Sequence, residues 1–225
     1  MKAVIKLTGS IFPSKLDIDM IRRYVEIFKE LKNEGHKIVV VAGGGEQARK
    51  YIIFARKMGA SEVLCDLIGI NVARLNARLL IAGLGEDAYS EPPINVVELR
   101  KAFESGKIVV LGGLQPGQST NAVGIISAEA IEADLFINAT DVEGVFSEDP
   151  KKNQDAKLLH QISADEILQI ALSYQVDAGS YKLFDPVAAK MVKRSGIPTR
   201  IIDGRNPENI KRVVYGEELG TLIVS

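Results

Sequence analysis

The sequence predicts an α/β fold, a three-layer αβα sandwich with helices on both faces of a mostly parallel central sheet. Runs such as AVIKLT (3–8), KIVVVA (37–42) and ADLFINAT (133–140) are apolar nearly throughout rather than alternating, as strands covered on both faces must be. Amphipathic segments separate these runs, which makes the connections helical crossovers between parallel strands. No Pro-, Gly- or Ser-rich linker, low-complexity segment or internal repeat breaks the alternation, so residues 1–225 are expected to form a single domain of two lobes.

The elements follow in order. Strand 3–8 leads to a helix whose apolar face is Ile18, Ile21, Val25, Phe28 and Leu31, and which stops at Gly35. Strand 37–42 is followed by three glycines and a helix to about Met58. Residues 61–83 form a longer helical stretch with an interruption expected at Gly69. A short helix near 95–104 precedes a third strand, KIVVLGG (107–113). Thr120 to Ile131 is helical, and 133–140 is the fourth strand. Further on, SADEILQIAL (163–172) opens with a capping box, Ser163 standing three residues before Glu166. A helix near 185–195, the strand TRIID (199–203), a helix from about Pro207 and a closing strand TLIVS complete the chain.

Composition excludes several functions. With 28 basic against 29 acidic residues, there is no cationic excess to neutralise a phosphate backbone, so no nucleic-acid partner is expected. The single cysteine, Cys65, cannot close an internal disulfide, and MKAVIKLTGS lacks the apolar core of a secretion signal; a cytoplasmic protein is expected. No apolar run is expected to approach the roughly 20 residues of a membrane span, so no membrane partner is expected either. His36, His160 and Cys65 make no zinc set and read as packing or surface residues.

In sheets of this kind ligands sit beyond the carboxyl ends of the strands. The first strand ends in Lys6, Thr8, Gly9 and Ser10, and the second in Gly43, Gly44 and Gly45, with Arg49 one turn into the next helix. The third ends in GGLQPGQST. The fourth ends in a loop holding Asp141, Glu143, Glu148 and Asp149. Free N–H groups where glycine turns enter helices favour anions. Neither standard nucleotide motif is present: no lysine follows Gly44 at Walker spacing, and the dinucleotide fingerprint fails at Ala48. Even so, three glycine-rich turns at one sheet edge beside Lys6 suggest a site for two phosphorylated groups facing each other. Each feature also has a plainer reading: Lys6 snorkelling to solvent, a tight GGG turn, Arg49 and Asp66 as exposed helix positions. The acidic loop, without histidine or EF-hand spacing, would be a poor calcium site.

Taken together, IKLTGS, VVAGGGEQAR, LGGLQPGQST, NATDVEGVFSEDP and FDPVAAK, in this order, resemble the amino acid kinase superfamily, and within it the archaeal-type uridylate (UMP) kinase family. The resemblance extends to the terminal GEELGTLI. It implies phosphoryl transfer from ATP to UMP, with Mg2+ accompanying ATP, no dedicated metal site, and chemistry done by positioning and charge neutralisation. Lys6 and Asp141 would be the catalytic pair. Gly9, Ser10, Gly45, Arg49, Thr140, Asp141, Phe146 and Asp149 match the ATP-binding positions. Gly44, Asp66 (for the ribose hydroxyls) and the loop Leu114, Gln115, Pro116, Gly117, Gln118, Ser119 and Thr120 match the UMP-binding ones. Thr120, a candidate helix cap, would meet the phosphate of UMP. Asp185 could help order the site or cap the helix opened by Pro186; the cap is the expected role.

The chain departs from the family pattern where TDVEGVF stands in place of the archaeal TNVDGVY. Asp141 there resembles acetylglutamate and glutamate kinases, where the aspartate orients phosphate-binding lysines. An ionised Asp141 beside a triphosphate needs a cation, and Lys6 is the expected one. Asn121 replaces a common aspartate. Two rival readings follow: a related small-molecule kinase acting on isopentenyl phosphate or carbamate, or a nucleotide-binding relative without catalysis. The family's use of the 61–83 region in dimers that assemble further implies a homohexamer, a trimer of dimers.

Overall fold

The computed structural model describes residues 1–148, 153, 155–173 and 184–224. Its strands are β1 (Lys2–Leu7), β2 (Lys37–Ala42), β3 (Val109–Leu111), β4 (Leu135–Thr140), β5 (Val145–Phe146), β6 (Leu158–Leu159), β7 (Gln161–Ser163), β8 (Thr199–Asp203) and β9 (Thr221–Val224). Seven form the central sheet in the order β3-β2-β1-β4-β8-β9-β7, parallel throughout except for the β8–β9 pair. The expected α/β sandwich is what is found. Strands β5 and β6 make a separate antiparallel hairpin.

Because successive strand residues face opposite ways, each buried strand feeds two cores. Ala3, Ile5 and Leu7 join Ile38, Val40 and Ile137 on one face, against α1 (Ile18–Asn33), α3 (Glu62–Leu84) and α8 (Glu208–Val214). Tyr24, Phe28, Leu31 and Leu80 fill that layer and are fully buried. A side chain of the Phe28 or Leu31 kind contributes about 1.5–3 kcal/mol by burial. On the opposite face Val4, Val39, Val41, Val109 and Phe136 meet α4 (Val96–Glu104), α5 (Thr120–Ala130), α6 (Ala164–Ser173) and α7 (Pro186–Ser195). The remaining helix, α2 (Gly45–Lys57), packs on α3.

Several boundaries differ from expectation. α3 runs through Gly69 without a break, because Gly69 is small enough to lie against Ile52 of α2 and against Gly44. α3 is also long and apolar enough to cross a membrane by composition, contrary to the sequence estimate. Here it buries Ile70, Ala73, Ala77 and Leu80, which marks it as a core helix. Ser119, not Thr120, caps α5: its backbone is extended and its hydroxyl accepts from Ala122 N at 3.1 Å. The Ser163–Glu166 capping box forms in both directions, at 2.6 and 3.1 Å.

The chain lays down β1, β2 and β3 toward one edge, then returns to set β4 on the other side of β1. The β1–β4 seam is therefore the topological switch point, where open α/β sheets hold ligands.

Candidate active site

Lys6 lies on β1 at that switch point, with only 8% of its surface exposed. Burial pushes its pKa down to about 8, while Asp141 and Asp185 pull it back up. Asp141 follows the last residue of β4 and is exposed; among the described residues it makes no ion pair with Lys6 and acts on it only as a through-space attraction. Lys6 fits tightly because α5 has a glycine over it. A Cβ on Gly124 would come within 3.5 Å of Lys6 Cβ and 2.6 Å of the Phe136 ring.

The turns after β1 and β2 pack backbone against backbone. A Cβ on Gly9 would fall 2.8 Å from Gly45 Cα. At Gly45, where φ is +69°, a Cβ would fall 2.3 Å from the Phe12 carbonyl oxygen. No side chain fits there, so Gly9, Gly43 and Gly45 pack backbone against backbone, with Ser10 and Gly44 as their chain neighbours. Gly45 opens α2, whose N-terminal dipole faces the same space. Arg49 is exposed one turn further along α2.

The loop after β3 is fastened to α3. Arg74 donates through Nε to Gly113 O and through Nη2 to Leu114 O, both at 3.1 Å. Asn76, buried, donates to Gly43 O at 2.8 Å. Asp66, exposed on α3, accepts from Gly117 N at 2.9 Å through Oδ2; Gly117 has φ +80°. Leu114, Pro116, Gln118 and Thr120 are half-buried, while Gln115, Gly117 and Ser119 are exposed. Gln118 Oε1 is buried and has no donor among the described residues.

On the acidic loop, Thr140 uses its hydroxyl on its own turn, accepting from Val142 N at 3.1 Å. Phe146 is half-buried in the β5–β6 hairpin, and Glu143 and Glu148 are exposed. Asp149 lies outside the described residues.

Some site residues escaped sequence reasoning, and Asp185 was read too narrowly. Arg74 and Asn76 sit in a helix far from their partners in sequence, so no local signal marks them. Asp185 does cap α7, accepting from Ala188 N at 3.0 Å, but its second oxygen also accepts from the Ser119 hydroxyl. Asp185 thus joins the β3 loop to α7 and faces Lys6, a role wider than capping. The FDPVAAK segment was the one available hint. Arg205, paired with Asp203 at 2.6 Å at the end of β8, adds a cation near Asp141.

The result is a buried lysine on the strand that leads into one of two backbone-packed turns, with two carboxylates favouring its charge. This arrangement can neutralise a phosphoryl group in transit between two bound phosphates. Comparison with known proteins agrees with that chemistry. The amino acid kinase family model matches residues 1–203. The uridylate kinase of Methanothermobacter thermautotrophicus is 47% identical over 100% of this chain and 99% of its own. That of Hyperthermus butylicus is 46% identical over 98% of this chain and 96% of its own. The crystal structure of the uridylate kinase from Archaeoglobus fulgidus superposes with a TM-score of 0.89 at 40% identity, covering 100% of both chains. On this fold, this switch-point lysine and these relatives, the chain belongs to the amino acid kinase family, among its archaeal-type uridylate kinases.

Proposed function

We propose that this chain phosphorylates UMP with ATP, giving UDP and ADP, a reversible step of pyrimidine nucleotide synthesis in the cytoplasm. The observation that carries the reading is Lys6, buried at the switch point and flanked by two turns able to bind anions. The N-terminal lobe takes UMP, with Gly44, Asp66 and residues 114–120 around it. Asp66 Oδ1 makes no hydrogen bond among the described residues and is available to a ribose hydroxyl. The C-terminal lobe takes ATP, with Thr140, Asp141, Phe146 and Asp149; Gly9, Ser10, Gly45 and Arg49 meet its phosphates. Lys6 neutralises the moving phosphoryl group and Asp141 keeps Lys6 charged.

Magnesium would supply charge neutralisation on the ATP phosphates. Among the described residues no group of three or more His, Cys, Asp or Glu gathers. Mg2+ of this kind is commonly held by substrate phosphates and water with one or two carboxylates. The oligomer proposed is a trimer of dimers. Its dimer face is the α2–α3 surface, where Ile53, Phe54, Met58, Val63, Leu64 and Leu67 are exposed.

A coupled ADP-release assay with UMP, CMP and isopentenyl phosphate tests the reading. Turnover is expected with UMP. Background rates with UMP alongside turnover of isopentenyl phosphate would favour the rival kinase. Light scattering is expected to report six subunits, and a monomer would refute the assembly.

A further inference from the structure

Asn138 is an unexpected residue for the middle of a buried strand. It is fully buried, and among the described residues neither Oδ1 nor Nδ2 has a hydrogen-bond partner. Its neighbours Phe136, Ile137 and Ala139 on β4 are apolar and equally buried. An amide without partners weakens a core, and an apolar side chain of the same volume would not. Stability therefore does not account for an asparagine here.

Its position does. In the β1–β4 register Asn138 is paired with Lys6, and register partners in a parallel sheet project to the same face. The pair thus spans the switch-point seam. The strands are separated by roughly 4.8 Å, which the flexible lysine stem can bridge. The ionised groups facing Lys6 are Asp141 and Asp185, and no hydrogen bond to Lys6 Nζ occurs among the described residues.

We propose that Asn138 is a positioning residue of the phosphoryl-transfer site: its side-chain carbonyl accepts from the Lys6 ammonium and holds it, charged, at the seam where the two phosphates meet. The assignment rests on the uridylate kinase reading. An amide suits the task because it accepts from an ammonium without adding negative charge beneath two phosphates. A carboxylate would add that charge. An apolar side chain would leave Lys6 to its desolvation.

Two variants test it, Asn138→Leu and Asn138→Asp, each read for thermal midpoint, kcat, KM for UMP, and the pH profile of kcat/KM for ATP, which reports the free enzyme. A hydrogen bond to a charged group is of a strength corresponding to roughly ten- to a hundredfold in rate. Asn138→Leu is expected to melt no lower than wild type, to lose kcat by that factor, and to keep KM for UMP within about threefold. Its alkaline limb should move to lower pH by about one unit, because the charged lysine has lost an acceptor. Asn138→Asp should move the limb the other way, and it carries the test alone if the Leu variant does not fold. Wild-type kcat with an unmoved limb in Asn138→Leu, or limbs that stay fixed in both variants, would overturn the assignment. Wild-type protein without UMP turnover would overturn the kinase reading itself, and the assignment with it.

Discussion

Replacing Lys6 by methionine should make the protein more stable while disabling it. In the unfolded chain the ammonium has a pKa near 10.5; in the folded protein burial pushes it down to about 8, even with Asp141 and Asp185 pulling upward. The unfolded state thus binds the proton more tightly, and folding is opposed at any pH below the folded value. The difference between 10.5 and about 8 corresponds to about 3 kcal/mol at neutral pH, an order-of-magnitude figure. Methionine keeps the stem and its packing under Gly124 and removes the penalty. At pH 7 a gain of about 2–3 kcal/mol is expected, roughly 5–10 °C in the thermal midpoint. The sign with pH is fixed. Wild-type stability from this group rises between pH 8 and 10.5, so the advantage of Lys6→Met should shrink to about half at pH 9.5. Urea denaturation of both proteins at the two pH values measures this. A Lys6→Met protein less stable than wild type at pH 7, or an advantage independent of pH, would refute the account of Lys6 as a buried charge held against desolvation.

Other changes separate the jobs of individual residues. Lys6→Met should lower kcat by about a hundredfold or more with KM for UMP little altered, since the charge acts on the transferring group; steady-state kinetics checks this. Asp185→Ala should cost about 2 kcal/mol, from the lost α7 cap and the lost Ser119 bond, whereas Asp185→Asn, which keeps one acceptor oxygen for the cap and replaces the other with an N–H donor, should lose only part of that. Gly45→Ala places a Cβ 2.3 Å from the Phe12 carbonyl at a positive φ, so a loss of at least about 2 kcal/mol and of ATP-dependent turnover is expected by denaturation and assay. Arg74→Met frees the carbonyls of Gly113 and Leu114 and should raise KM for UMP about tenfold, as a charge-assisted pair of bonds is lost.

The layers of the fold were legible because strands buried on both faces cannot alternate; KIVVVA and LFINAT could hardly be anything else. Strands with little burial of their own were not. Gln161–Ser163 is three residues with one buried side chain, and it pairs only because β9 offers an edge. Val145–Phe146 is two residues, with Val145 N held by the Thr221 hydroxyl at 2.8 Å across the molecule. The capping residue of α5 was misplaced by one because Ser119 and Thr120 are both competent caps. Only the three-dimensional neighbour Asp185, accepting from Ser119, distinguishes them.

The glycine turns and Lys6 announced themselves at the strand ends, but their supports did not, and the way they are supported divides the site in two. The turn after β2 and the loop after β3 hang from α3, through Asn76 to Gly43, Arg74 to Gly113 and Leu114, and Asp66 to Gly117. Lys6 is governed from the opposite face, by Gly124 on α5 and Asp185 at the head of α7. Damage on the α3 side should therefore appear in KM for the acceptor with Lys6 undisturbed. Damage on the α7 side should appear in kcat and in the pH at which Lys6 loses its proton. Asp185 belongs to both sides, since its two oxygens serve the α7 cap and Ser119 of the acceptor loop. Its removal should move KM and kcat together, which no change confined to α3 should do. The order of these effects follows from which helix holds which turn, and a residue scan along α3 and α7 would read it directly.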